Sequence, residues 1–593
     1  MRENRRALWL LVATSVRASP GRCALAALEV VGTVVGVLKA WWLALLVTGA
    51  TTGHAGMVWT GVVALVATVG CEWGLGMVGA EARMTLSEKV GFTFDRMLAN
   101  LTASIPTIEH LERADYLDQL EVLRQQRALL AGGLASLLWS VNVFAMAGTA
   151  IVMAAAVDPR LLLLIVSAAP AVVGSRLRYR WNSTAEQDAA LPGRRARHLA
   201  SVITTPATGM ELRVFRLQDV ITRRLAAAIR AWQGPSVWAA RRANTVTFGE
   251  QAVFALTLGA VLIWLISTAG TSTGTTSAIV VAVVAAGQIQ SSITDVVYRF
   301  GGIADTMRNM RRVLWLRDYA DTENARHPGT RPAPARLTGG ITLTDVSFTY
   351  HGAAAPSVTD LTVHLPAGAV VAIVGENGAG KTTLVKLLTG LYQPQHGHIS
   401  IDDTDLNDLD ITDWRRHTTA AFQDHTRFEL TAQHAIGIGD THQIDDPAAA
   451  RAALQRAAAG DLETALPHGL ASQLGAQWEH GTDLSGGQWQ KLALARALIR
   501  TEPLLQVFDE PTAALDAQTE HDLFARYTTA AHEHGNNGAI TLLITHRFST
   551  VHDADLVLVL DHGRLVETGS HDHLMTLNGL YADLYQLQAT GYQ

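Results

Sequence analysis

The chain has 593 residues, of which 48% are hydrophobic and only 17% charged. Soluble domains carry about 25% charged residues, so this is not one ordinary soluble enzyme, and the apolar content excludes a disordered chain. Two cysteines, Cys23 and Cys71, exclude a disulfide scaffold and a Cys-based zinc cluster. The net charge of −6 hides an asymmetry: residues 341–593 hold 13 Lys+Arg against 31 Asp+Glu, a balance of −18, and residues 1–340 hold 34 against 22, a balance of +12. Two physically different parts are joined.

Six apolar runs precede residue 301, at about 25–48, 57–80, 129–156, 161–180, 249–268 and 277–300. Most are about 20 residues long or more, enough to cross a hydrocarbon core of about 30 Å. In lipid such runs must be helices, because their backbone groups find no water. The third and fourth are joined by Val157, Asp158, Pro159 and Arg160, which read as a tight hairpin. The arm before the first run is expected not to be a cleaved signal peptide: the run is too long and no small-residue cleavage site stands out.

Charge sets the expected orientation. Residues 49–56 and 269–276 carry no Lys or Arg, whereas 176–242 carry 13 Arg against four acids, and the N-terminal arm carries Arg2, Arg5, Arg6, Arg17 and Arg22. The positive-inside rule places the N-terminus and the long segments 81–128 and 176–246 in the cytoplasm. Those segments look helical, so the spans are expected to continue beyond the bilayer. Glu29, Lys39, Glu72 and Asp295 fall within the runs. Such groups either line a wet path or pair locally. Residues 318–340 hold Pro328, Pro332 and Pro334, which stop a helix and stiffen a connection. The expected division is a membrane domain over 1–320, a linker over 321–340 and a second domain over 341–593.

The second domain opens on phosphate chemistry. An apolar strand at 369–374 leads into Gly375, Glu376, Asn377, Gly378, Ala379, Gly380, Lys381, Thr382 and Thr383, with an apolar helix expected at 384–391. This is G-x-x-x-x-G-K-[ST] in its strand–loop–helix setting. Its glycines let backbone N–H groups close around phosphate oxygens, and the helix N-terminus adds a positive end. Lys381 is expected to reach the outer phosphates and Thr382 to ligate Mg²⁺. A second strand, ending at Asp509 and Glu510, supplies a metal-side carboxylate (Asp509) and a candidate base for the attacking water (Glu510).

With Leu484, Ser485, Gly486, Gly487 and Gln488 added, the sequence resembles the ATP-binding cassette family, whose signature this is. Other pieces follow that family's order. The resemblance implies that Tyr350 stacks on adenine, that Gln423 joins the Mg²⁺ shell and senses the membrane domain, that Asp516 in Ala514-Leu515-Asp516 crosses a dimer interface, and that His546 contacts the γ-phosphate. It implies ATP and Mg²⁺ as cofactors. Six spans followed by one cassette resemble the half-transporters among ABC exporters: a helical membrane domain of the type IV exporter kind plus an α/β P-loop nucleotide-binding domain. In that family Ser485, Gly486, Gly487 and Gln488 complete the site of a second cassette, so a homodimer is implied. Segments 107–120 and 211–219 look like the short helices that couple membrane helices to cassettes.

Trp489 after the signature, and the run 424–431 without the proline phrase common in drug and lipid exporters, resemble the subgroup exporting lanthipeptides and related peptides. The arm before the first run is too short for the cysteine peptidase found on some peptide exporters, so none is expected there. The expected function is therefore ATP-driven export of a peptide or other amphipathic product across the cytoplasmic membrane, with the lipid bilayer and a second copy as partners and no nucleic acid. The alternatives are a multidrug or lipid exporter, an exporter-fold siderophore importer, and a non-pumping ATP-gated membrane protein.

Overall fold

The computed structural model describes residues 2–36, 38–157, 162–167, 169–268, 273–510, 538–545 and 551–591. Two compact units emerge. One comprises Met1–Asn100 and Leu120–Trp315; the other comprises Leu101–Gln119 and Leu316–Gln593.

The first unit is built of helices: α1 (Arg2–Ala18), α2 (Pro20–Gly36), α3 (Leu38–Thr52) and α4 (Ala55–Ala103). The short α5 (Glu109–Glu112) and the start of α6 (Ala114–Gln125) belong to the second unit; the end of α6 and α7 (Arg127–Ala131) belong to the first. Then come α8 (Gly133–Val157), α9 (Leu163–Val166), α10 (Ala169–Thr204), α11 (Pro206–Val214), α12 (Gln218–Thr268) and α13 (Thr273–Ala325). At about 1.5 Å per residue, the 49 residues of α4 run about 74 Å, more than twice a hydrocarbon core. Three stretches among the described residues are long and apolar enough to cross a membrane: Pro20–Ala50, Ala55–Ala103 and Gln218–Trp264. They hold the first, second and fifth apolar runs. The third run falls mainly on α8, the fourth on α9 and α10, and the sixth on α13. The expected hairpin at 157–160 lies, apart from Val157, outside the described residues.

Charged pairs join helices of this unit. Glu29 accepts from Arg83 at 3.0 Å, and Glu72 meets Lys39 at 2.5 Å. Both pairs join α2 or α3 to α4, and Glu29 is nearly buried. Lower down, Arg178 on α10 bridges to Glu250 on α12 at 2.7 Å. Asp295 lies exposed on α13. Pairing removes the cost of an isolated charge in lipid.

The second unit holds two sheets. The antiparallel sheet has the order β2-β1-β4-β5, with β1 at Gly340–Phe348, β2 at Val358–Pro366, β4 at His396–Ile401 and β5 at Thr404–Asp405. The larger sheet has the order β10-β9-β3-β8-β7-β6. Its members are β3 (Val370–Val374), β6 (Thr418–Ala421), β7 (Leu505–Asp509), β8 (Ile540–Ile544), β9 (Leu556–Asp561) and β10 (Arg564–Gly569). It is parallel except for β10. Val370, Ala372 and Val374 face one core with Trp489 and Leu492, while Val371 and Ile373 face the other with Leu384 and Trp414. Burial on both faces is why β3 reads as an unbroken apolar run.

Two boundaries differ from expectation. The helix after the phosphate loop, α14, spans Lys381–Leu388 rather than 384–391. Gly390 takes φ +66, a left-handed conformation that ends a helix. The helix α13 continues to Ala325 before Pro328. The stretch beyond it is pinned, not loose: Ala333 N–H donates to Asp413, and the N–H groups of Thr338, Gly339 and Gly340 all donate to Asp402. Those donors hold the Asp402 carboxyl below its usual range against the opposing effect of burial.

Candidate nucleotide site

The site sits where parallel strands end, the position at which α/β sheets bind ligands. The loop after β3 holds Gly375 at φ +150 and Gly380 at φ +99. A Cβ on Gly375 would collide with the carbonyl of Leu560, and one on Gly380 with that of Ser357. Glycine there is a steric requirement of the cradle. Lys381, at 6% exposure, folds back into the cradle and donates from Nζ to the carbonyls of Gly375 (2.7 Å) and Glu376 (3.0 Å). Burial pushes its ammonium pKa down, with Glu510 and Asp509 opposing.

The end of β7 closes the other side. The Thr382 hydroxyl donates to Asp509 Oδ2 at 3.2 Å. Asp509 is 2% exposed, and burial raises its carboxyl to about 6, with the Thr382 hydrogen bond opposing. Glu510 adopts φ +47, a strained conformation for a non-glycine residue, fixed by its N–H donating to Ile544 O at 3.0 Å. Gln423 Nε2 donates to Glu510 Oε2 at 2.9 Å. One hydroxyl, one carboxylate and one amide, from Thr382, Asp509 and Gln423, form an all-oxygen donor set suited to Mg²⁺. A cation beside Asp509 would also remove the reason for its raised pKa, so the residues fit the ion.

Tyr350 lies beside the first turn of α14. Its hydroxyl shares a 3.1 Å hydrogen bond with Thr383, and its ring packs edge-on against Phe348 and Tyr392. Asn377, Gly378 and Ala379 complete the loop, with Ala379 buried. The signature lies elsewhere on the surface of the same unit. Ser485 caps helix α19 (Gly486–Leu498; helices α15 to α18 lie at Ile411–Arg416, Ala432–Gly437, Pro447–Arg456 and Asp461–Ala465). Its hydroxyl accepts from Gln488 N–H while Gln488 Oε1 accepts from Ser485 N–H, a reciprocal capping box. No hydrogen bond among the described residues joins Ser485–Gly487 to the phosphate loop. Asp516 and His546 lie outside the described residues.

The structure therefore gathers Lys381, Thr382, Asp509, Glu510 and Gln423 on one edge and sets the signature apart. Trp489, one residue beyond the signature helix's first turn, is 1% exposed and packs in the core. It is a packing residue of the second unit. Sequence reasoning missed Glu112, Lys386, Tyr392 and Arg415. Lys386 and Tyr392 lie beside Tyr350, Glu112 contacts both, and Arg415 holds Pro106 and Gly390; no spacing pattern marks residues drawn from places so far apart in the chain.

A family model described as ABC transporter matches residues 358–513. Among curated proteins, the chain is 38% identical over 268 residues to an ATP-dependent lipid A-core flippase of Thiobacillus denitrificans, covering 45% of this chain and 44% of that protein. It is 35% identical over 308 residues to the protein of that name in Alcanivorax borkumensis, covering 51% and 50%. The chain thus spans about half the length of the curated relatives it matches. Along its whole length it resembles a solved bacterial Atm1-family ABC exporter with ATP bound, at a TM-score of 0.74 and 25% identity, covering 97% of this chain and 98% of that one.

Proposed function

We propose that this chain, an ABC exporter half-transporter by its cassette and its fold, works as two copies that hydrolyse ATP to move an amphiphile across the cytoplasmic membrane, with its N-terminus and cassette in the cytoplasm. The observation that carries the reading is the gathering of Lys381, Thr382, Asp509 and the Gln423–Glu510 pair at one sheet edge, in a chain whose other unit is built of long helices. Mg²⁺, held by Thr382, Asp509 and Gln423, would neutralise phosphate charge. Lys381 exchanges its two loop carbonyls for phosphate oxygens. Glu510 accepts the proton of the attacking water, and Gln423 orients Glu510 until substrate arrives.

Two features support a second copy. A Cβ on Gly486 would meet nothing within 4 Å, so packing within the chain does not require glycine there. Close approach of another molecule's phosphate would, and Ser485, Gly486, Gly487 and Gln488 at an exposed helix N-terminus offer the donors. Around α11, Met210, Val214 and Phe215 are 76%, 76% and 65% exposed. On the cassette, Phe422, Phe428, Leu430 and Trp478 are also exposed. Apolar side chains at segment 211–219 docking on the partner's cassette would couple the two.

The cargo reading follows the relatives. Those compared are named for flipping lipid A-core, and none supports a peptide. A lipid-like amphiphile is the favoured cargo. The test is the purified chain in vesicles, with ATPase rate and transbilayer movement of a fluorescent lipid measured together. Lipid movement dependent on ATP supports the reading. ATPase stimulated by cationic peptides but not by lipid amphiphiles would overturn it.

A further inference from the structure

The segment Leu101–Gln119 belongs to the same compact unit as the cassette. It is held at three points on the end of α14 remote from the phosphates. Arg415 donates from Nη2 to the carbonyls of Pro106 and Gly390, both at 2.6 Å. Ile108 N–H donates to Leu391 O at 3.2 Å. Glu112 receives two cassette groups at once: Lys386 Nζ at 3.4 Å and the hydroxyl of Tyr392. Burial, then Glu112 itself, pushes the Tyr392 phenol far above its usual range, so it remains a donor.

These two groups also build the surroundings of Tyr350. Lys386 Nζ lies 5.2 Å from the ring centroid of Tyr350 and 5.5 Å from that of Tyr392. The rings of Tyr350 and Tyr392 meet edge-on at 5.4 Å and 85°. A cation over an aromatic face is attracted to it, and its placement orients the ring. One carboxylate therefore fixes the cation and the neighbouring ring that bear on Tyr350.

We propose that Glu112 is a positioning residue for the base platform: through Lys386 and Tyr392 it sets the Tyr350 ring against adenine, so that docking of segment 101–119 and binding of the base are one linked event. The inference rests on the reading that Tyr350 stacks on adenine. By linkage, a movement that withdraws Glu112 weakens the base contact, and a bound base strengthens docking of the segment.

The test uses the full chain in vesicles and two ligands, ATP and inorganic tripolyphosphate, which has the phosphates but no base. Glu112→Gln keeps the shape and removes the charge. It is expected to raise KM for ATP about fivefold, the lower end of what loss of one base–aromatic stack gives, while inhibition by tripolyphosphate stays within about twofold. Tyr392→Phe is expected to act in the same direction, and the double variant to be no worse than the stronger single one, as for groups in one network. Glu112→Asp is expected to restore part of the affinity. A KM for ATP unchanged by Glu112→Gln, with Tyr350→Ala raising it, overturns this inference alone. Tripolyphosphate inhibition weakened in step with KM also overturns it, since that marks general damage to the site. A KM unchanged by Tyr350→Ala overturns both this inference and the stacking reading beneath it.

Discussion

Asp509 is costly to the nucleotide-free protein, and the cost can be measured. An ordinary Asp carboxyl titrates at 3.8, and burial raises this one to about 6. The folded chain therefore binds a proton more tightly than the unfolded chain. The sign follows: the charged form is disfavoured in the fold, so the penalty is absent well below pH 3.8, grows as pH rises, and is complete above about 6. A difference of about two pKa units corresponds to about 3 kcal/mol at pH 8, and about half of that at pH 5. Asp509 is 2% exposed, so solvent screening does not erase the effect. Asparagine is nearly isosteric and can still accept from the Thr382 hydroxyl. Asp509→Asn is expected to unfold later than wild type in the absence of Mg²⁺ and nucleotide, with a larger margin at pH 8 than at pH 5. At the same time it should lose Mg²⁺-dependent turnover. The assay is thermal unfolding of the detergent-solubilised full chain with chelator at both pH values, beside ATPase rate. A variant no more stable than wild type at pH 8, or a margin that shrinks as pH rises, refutes the reasoning.

Two further outcomes are expected. Glu510→Gln retains the hydrogen bond partner of Gln423 but cannot take a proton, so ATP binds and steady-state hydrolysis falls by at least about 100-fold; wild-type turnover in that variant removes Glu510 from the base role. Trp489→Ala empties a large core site and is expected to cost about 3–5 kcal/mol, reduced somewhat because the buried Trp489 Nε1 has no partner among the described residues. Denaturant unfolding measures that loss. Wild-type stability in that variant would refute the packing role.

The parts of the site legible in the sequence are those whose chemistry needs neighbours in the chain. A phosphate cradle must be contiguous, because successive N–H groups close on one anion, and so residues 375–383 announce themselves. The same holds for Asp509 and Glu510, adjacent at the end of one strand. The resemblance to a family extended this to Gln423 and the signature, which the structure places on separate surfaces of one unit. The pairs in the membrane half were not legible. Glu29 and Glu72 were visible as charges, but their partners Arg83 and Lys39 come from other helices, and no helical spacing pairs them. Trp489, which in sequence resembles the peptide-exporting subgroup, packs in the core. Ser485 to Gly487 form the exposed turn of α19, while the next turn faces the core, so neighbours in sequence serve opposite sides of the helix. The least legible group is Glu112, 280 residues from Tyr392.

That cluster changes what α14 is for. Its first residues, Lys381 and Thr382, serve the phosphates, and its sixth, Lys386, grips Glu112. Eight residues span only about 12 Å, and Leu384, Val385, Leu387 and Leu388 are fully buried, so the helix is packed into the core along its length. On the role proposed for Glu112, its displacement reaches Tyr350 through one lysine of this short helix and one neighbouring ring.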